Sequence, residues 1–123
     1  MVDAERGGDS LEEAIDDGDD VAVAAITVAE LQVGIQLAKG RRREKRERFV
    51  AAVLDAVSIE PYGLDVAEAH ADLLAHVRRA GVPRGAHDLI IAATARAQER
   101  QVVSSDQSGF AGLPGVSLAS GLD

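Results

Sequence analysis

The chain has 123 residues, of which 46% are hydrophobic, and a formal net charge of -8. This length allows one core and is too short for two ordinary domains, so we expect a single domain over residues 1–123. The absence of cysteine excludes disulfides, thiolate metal sites and cysteine nucleophiles, and no run approaches the roughly 18 to 20 apolar residues of a membrane helix, so we expect a cytoplasmic protein without a membrane segment.

The charge is unevenly distributed along the chain. Nine of the 21 acidic residues lie within residues 3–20, whereas seven of the 13 lysine and arginine residues lie within residues 39–48. The overall acidity opposes a nucleic-acid partner, because phosphates repel a negative surface, but the basic cluster could offset this repulsion locally. Since only three residues are aromatic, stacking on unpaired bases can contribute little to binding.

The first predicted elements are a strand and a helix that follows it directly. Residues 21–26 (VAVAAI) form an unbroken run of small apolar side chains, typical of a strand that is covered on both faces in a parallel sheet. Thr27 is the predicted N-cap of the helix, and apolar residues then repeat at helical spacing until Gly40 ends it.

Helices and short strands alternate along the rest of the chain. Alternation of this kind favours β-α-β crossovers and a parallel sheet with helices on both faces, which is the α/β class. The remaining predicted elements are, in order, a helix over 41–57, a strand over 58–62, helices over 65–80 and 87–99, and strands over 102–104 and 116–118.

Three carboxylates occupy equivalent places beside these elements. Glu30 lies four residues after the first predicted strand, Asp88 lies in the first turn of the fourth helix, and Asp106 follows the strand over 102–104. Since ligands in such folds bind outside the carboxyl ends of the strands, we expect the three side chains to converge. Mg²⁺ and Mn²⁺ prefer oxygen ligands, and a cation held there could activate water and neutralise a phosphodiester.

Each carboxylate alone has a simpler structural interpretation. Thr27 and Glu30 have the spacing of a capping box, in which Glu30 would bond back to the backbone of Thr27. Asp88 is favoured by the helix dipole in a first turn, and Asp106 follows a strand as a turn residue commonly does. The metal-site interpretation therefore depends on the conjunction of all three.

Three stretches of the sequence resemble motifs of a known family. ITVAELQVGI, HDLIIAATA and VVSSDQSGFAGLPGVSL, which begin at residues 26, 87 and 102, are similar to the second, third and fourth acidic motifs of PIN-domain ribonucleases, in particular VapC toxins. The resemblance implies a three-layer α/β/α domain with a mostly parallel sheet. It also implies RNA hydrolysis with Mg²⁺ or Mn²⁺, a homodimer, and inhibition by a cognate VapB-like antitoxin.

The resemblance assigns roles to four residues. Glu30, Asp88 and Asp106 become catalytic metal ligands, and Ser104 becomes the hydroxyl that supports the site. The expected function is a divalent-metal-dependent endoribonuclease, the toxin of a toxin-antitoxin pair. His87 adjoins Asp88 and could carry a proton, although a histidine that caps the helix is the simpler interpretation.

The basic cluster at residues 39–48 keeps two interpretations. It could contact RNA phosphates or an acidic antitoxin segment. Its interleaved glutamates could equally form ordinary ion pairs along a solvated helix.

The chain departs from the family pattern at its N-terminus. The family's first acidic residue follows an apolar strand that is central to the sheet, and residues 1–3 match only what comes after it. Asp3 is not expected to replace that residue, because two residues cannot form the preceding strand. We expect the true start to lie upstream of Met1, with a truncated form as the alternative. A truncated form supports a second hypothesis, an inactive PIN-like protein that binds an antitoxin or a like subunit.

Overall fold

A computed structural model describes residues 20–104 and 107–119. Each helix and strand predicted for this part of the chain is present, and the class is α/β, as expected. Among the described residues, no helix is long and apolar enough to cross a membrane. In chain order the elements are β1 (Ala22–Ala24), α1 (Ala25–Leu37), α2 (Gly40–Ala56), β2 (Ser58–Glu60), α3 (Leu64–Ala80), α4 (Ala86–Ala97), β3 (Gln101–Val102), a 3-10 turn (Gln107–Gly109) and β4 (Ser117–Leu118).

The strands pair in parallel, as predicted. β1 pairs with β2, and Val23 lies opposite Ile59. β3 pairs with β4, and Val102 lies opposite Leu118. Over the described ranges these are two separate two-stranded ladders. The prediction that the first central strand is missing concerns the chain before residue 20, which lies outside the described residues.

β1 is buried on both faces, which explains its unbroken apolar pattern. Ala22 and Ala24 are at most 1% exposed and belong to a core cluster formed with α3 and α4. Val21 and Val23 belong to a second cluster, which contains Val53 of α2 and is packed by apolar residues of α1. Since alternate residues of a strand face opposite sides, helices cover β1 on both sides. The predicted three-layer α/β/α arrangement is confirmed.

α1 begins earlier than predicted. Its N-cap is Ala24, which forms no side-chain capping bond, and Thr27 is therefore the third residue of the helix. The prediction that Thr27 is the N-cap is wrong. The physical reason is packing, because a helix that starts at Ala25 places Ile26 against the core formed with α3 and α4 and Val28 against the second cluster.

Gly40 does not end α1, contrary to prediction. The helix ends at Leu37, with Ala38 as its C-cap, and Gly40 is the first residue of α2. Its φ of 60° lies in the left-handed region, which a glycine adopts without steric cost. Gly40 therefore contributes to the sharp change of direction between the two helices.

The buried face of α3 provides a test of the core. Leu73 is fully buried, so we expect Leu73→Ala to lower the free energy of unfolding by about 2 to 5 kcal/mol. Leu64 lies in the same helix and is 76% exposed, so Leu64→Ala should change the free energy of unfolding by less than about 0.5 kcal/mol. Urea denaturation of both variants measures the difference, and equal losses would contradict the described burial.

Candidate functional site

Glu30 lies in the second turn of α1 and faces the start of α4. The helix begins at Ala25, so Glu30 is its sixth residue. This position excludes the capping-box interpretation, which requires Glu30 to lie three residues after an N-cap. The Glu30 side chain is 19% exposed, and its Oε1 lies 3.4 Å from Nδ1 of His87. Glu30 therefore contacts the first turn of the helix that carries Asp88.

Asp88 lies in the first turn of α4, as predicted, and is 3% exposed. Its carboxylate lies over the N-cap residue Gly85, because a Cβ built there would be 3.3 Å from Oδ2 of Asp88. A carboxylate that serves only the helix dipole can remain in solvent. Asp88 thus occupies the first-turn position that the helix-dipole interpretation predicts, and it is buried there.

Of the other two predicted site residues, Ser104 lies within the described part of the chain and Asp106 does not. Ser104 is 2% exposed and directly follows the bridge residue Val103, at the carboxyl end of β3. Asp106 lies outside the described residues, so its role stays a prediction. Within residues 20–104 and 107–119, no group of three or more histidine, cysteine, aspartate and glutamate side chains is placed to hold a metal ion.

His87 contacts Glu30 and directly precedes Asp88 in the sequence. Its side chain is half exposed, and its contact with Glu30 joins the middle of α1 to the start of α4. His87 is the second residue of α4, so it lies in the capping region of that helix, as the simpler interpretation expects. The alternative, proton transfer, requires an imidazole with access to solvent, which His87 has.

Thr27 is a buried polar residue near Glu30. The sequence predicted it as an N-cap and not as a buried residue inside the helix. It is 1% exposed, and its hydroxyl oxygen has no hydrogen-bond partner in the part of the chain that is described. Thr27 precedes Glu30 by three residues, which puts both on one face of α1. This spacing was visible in the sequence, but there it indicated a capping box.

The donor set fits a hard divalent cation. Glu30 and Asp88 offer carboxylate oxygens, which Mg²⁺ and Mn²⁺ prefer. The buried Thr27 hydroxyl lies one helical turn from Glu30 and lacks a hydrogen-bond partner among the described residues. A hydrated cation at Glu30 would bring water molecules close to this hydroxyl, and one of them could be its hydrogen-bond partner.

Glu30 opens onto a groove between α1 and α2. The groove has a volume of about 530 Å³. A carboxylate, an imidazole, a guanidinium and an aromatic ring line it, from Glu30, His87, Arg46 and Phe49 respectively. Its other lining residues are Leu31, Val33, Gly34 and Val50. The sequence did not predict this groove, because its residues lie on two helices and each helix alone has an ordinary pattern.

Arg84 connects two loops at the site. It lies two residues before α4 begins, and its Nη1 and Nη2 donate to the carbonyl oxygens of Ser108, at 3.0 Å, and Ala111, at 2.7 Å. These carbonyls belong to the segment that follows residue 106 in the sequence. Arg84 therefore joins the loop before Asp88 to the segment after Asp106. The sequence indicated only a loop here.

Comparison with known proteins gives a consistent result. The family model described as PIN domain matches residues 1–115. The chain is 38% identical, over 92 residues or 72% of its length, to the VapC ribonuclease Y4jK of Sinorhizobium fredii. The match spans 66% of that relative's length.

The fold is similar to that of solved toxin-antitoxin complexes. VapBC2 from Rickettsia felis, bound to a DNA fragment from its promoter, matches with a TM-score of 0.76 and 23% identity, over 91% of this chain and 82% of that chain. VapBC-5 from Mycobacterium tuberculosis matches with a TM-score of 0.72 and 30% identity, over 80% of this chain and 79% of that chain.

The hydroxyl of Thr27, which has no partner among the described residues, gives a test of the site geometry. Thr27→Val replaces that hydroxyl by a methyl group of similar shape, so we expect the free energy of unfolding to stay unchanged or to rise by up to about 1 kcal/mol. If Thr27 capped the helix, the same change would cost about 0.5 to 2 kcal/mol. Urea denaturation measures the sign.

Thr94→Val is the matched control. Thr94 is 1% exposed, like Thr27, but its Oγ1 donates to the carbonyl oxygen of Ile90 at 2.7 Å. Its loss should cost about 0.5 to 1.5 kcal/mol. A Thr27 variant that loses as much stability as the Thr94 variant would show that the Thr27 hydroxyl has a partner.

Proposed function

The chain belongs to the PIN domain family, and on that premise we propose that it is a divalent-metal-dependent endoribonuclease, the toxin of a toxin-antitoxin pair. The observation that carries the proposal is the contact between Glu30 and His87, 3.4 Å apart, beside the buried Asp88. The VapC relative, 38% identical, is named a ribonuclease, which supports the same activity.

Glu30 and Asp88 are the described residues that would hold the cation, and Asp106 is the third ligand by sequence. When bound, Mg²⁺ or Mn²⁺ supplies activation of water and neutralisation of charge on the phosphodiester. Ser104, buried at the end of β3, supports this site through its hydroxyl. Asp88 enters the site from a helix N-terminus, where the helix dipole favours its negative form.

The residues around Glu30 suit a phosphodiester substrate. The Glu30 carboxylate orients the imidazole of His87 through Nδ1, and the half-exposed ring can exchange a proton with solvent. The Arg46 guanidinium lines the same groove and can neutralise a phosphate there. The chain thus supplies orientation, a proton carrier and a fixed positive charge beside the metal ligands.

A VapB-like antitoxin is the proposed protein partner. The chain is similar in fold to a chain of each of the toxin-antitoxin complexes VapBC2 and VapBC-5. On α1, Val33 is 54% exposed and Leu37 is 79% exposed, so this helix carries an apolar surface that a partner would cover. We also propose a homodimer, which the family resemblance implies. An inactive interaction protein is not favoured, because the VapC relative is named a ribonuclease and Glu30 lines the groove.

Loss of the carboxylate charges tests the proposal. Glu30→Gln and Asp88→Asn keep side-chain shape but remove charged ligands. We expect each to reduce RNA cleavage in Mg²⁺ or Mn²⁺ by more than the roughly 10- to 100-fold that loss of an outer-shell partner causes. Mn²⁺ titration should show weaker binding in both variants. The measurements are cleavage of a labelled single-stranded RNA and calorimetric Mn²⁺ titration of the 123-residue chain.

Glu68→Gln is the matched control, because Glu68 is an exposed carboxylate of α3. It should leave cleavage and Mn²⁺ binding unchanged. Thermal unfolding of all three variants separates loss of ligands from loss of structure. Cleavage and Mn²⁺ affinity equal to those of the parent in both site variants would contradict the assignment.

A further inference from the structure

A second concavity adjoins the groove at Glu30. It has a volume of about 360 Å³ and is lined by Arg42, Lys45, Arg46 and Phe49 of α2. We call it the Phe49 cleft. Arg46 and Phe49 line both concavities, so the two are neighbours. The basic part of the chain therefore adjoins the groove that contains the proposed catalytic carboxylate.

The Phe49 cleft occupies one face of α2. Its residues follow one another at helical spacing, so three cations and an aromatic ring lie together. Arg43 lies on another face, where its Nε is 3.0 Å from Oε1 of Glu47. Over the described ranges no acidic side chain forms an ion pair with a cation of the cleft. The cleft is therefore a locally positive surface on a chain of net charge -8.

Arg46 lies close to the proposed catalytic centre. A Cβ built on Gly34 would lie 2.8 Å from Nη1 of Arg46, so the guanidinium rests on the backbone of α1. Gly34 follows Glu30 by four residues, which is one helical turn and about 6 Å along the axis. A glycine at this position permits the close approach. Arg46 thus places a positive charge beside Gly34, one turn of α1 after Glu30.

Phe49 is the aromatic residue that is available at this surface. Phe110 is 1% exposed, and Tyr62 packs edge-on against His70 with ring centroids 5.7 Å apart. Phe49 is partly buried and lines both concavities. Because bases stack on such rings and phosphates pair with neighbouring cations, an aromatic side chain among cations matches the alternating chemistry of a single strand.

We propose that the Phe49 cleft binds the single-stranded RNA segment next to the phosphodiester that is cleaved at Glu30. Phe49 stacks on one base, Arg46 holds the phosphate nearest the cut, and Arg42 and Lys45 hold the phosphates beyond it. RNA is favoured over an acidic peptide because the cleft adjoins the groove at Glu30 and contains a ring, whereas an acidic peptide needs cations alone. This inference rests on the proposed ribonuclease function.

Binding of a short labelled single-stranded RNA, measured by fluorescence anisotropy in EDTA, tests the proposal without cleavage. We expect Phe49→Leu to weaken binding by about 5-fold or more, which is the lower end for one stacked base. Arg46→Gln should weaken binding as well. Replacing Arg42, Lys45 and Arg46 together by glutamine should reduce the slope of log affinity against log salt by about 2, since each phosphate contact on a single strand contributes about 0.7.

Two substitutions outside both concavities serve as matched controls. Tyr62→Leu removes an aromatic ring from a half-exposed site, and Arg79→Gln removes an exposed cation from the last turn of α3. Both should bind RNA like the parent. Phe49 packs against the second core cluster, so its variant is also compared by thermal unfolding. Arg46→Gln, in an exposed part of α2, keeps the test valid if the Phe49 variant is unstable.

The outcomes separate the subsite from the nuclease. Weakened binding in the cleft variants with no cleavage by the parent would support the subsite and contradict the nuclease. Cleavage by the parent, with unchanged RNA affinity and unchanged KM in the cleft variants, would support the nuclease and overturn the subsite. Absence of RNA binding by the parent, or preferential binding of a polyglutamate peptide that Arg46→Gln abolishes, would also overturn the subsite.

Discussion

The burial of β1 on both faces is the constraint on which the rest of the architecture depends. Three residues must fill the space between two helical layers, and only small or branched apolar side chains do so without voids. Ala22 and Ala24 meet α3 and α4, while Val23 meets the opposite layer. Because α1 follows β1 without a loop, this packing also sets the rotation of α1 about its axis.

The packing of α1 explains why its presence could be predicted from the sequence but its first residue could not. Over residues 20–104 and 107–119, helical and strand patterns predicted the correct elements and their order, because apolar periodicity reports burial directly. The start of α1 was misjudged, because an N-cap contributes about 1 kcal/mol. Full burial of one aliphatic side chain contributes about 1.5 to 3 kcal/mol, and Ile26 and Val28 are both partly buried. Their packing on the two clusters together therefore outweighed the capping preference of Thr27.

The positions of the candidate site residues were predictable where a residue directly follows the end of a strand or the start of a helix. Asp88 has such a position, in the first turn of α4, whereas Glu30 lies in the second turn of α1. The roles of both residues, like that of Asp106, stay predictions. The groove, the Arg46 contact with Gly34 and the role of Phe49 were not predictable from one sequence, because they arise where α1 meets α2. Such contacts depend on the crossing of two helices, and a single helical pattern contains no information about that crossing.

The Arg84 bridge has a consequence for the affinity of the site. Its two hydrogen bonds join positions 24 and 27 residues apart in the chain. Ordering a loop costs about 1 to 2 kcal/mol of backbone conformational entropy for each residue that is fixed. Because Arg84 already restrains the segment after residue 106 in the folded chain, the entropy cost of ordering this segment is part of the free energy of folding and not of the free energy of ligand binding. A ligand that arrives later keeps more of its interaction energy as affinity.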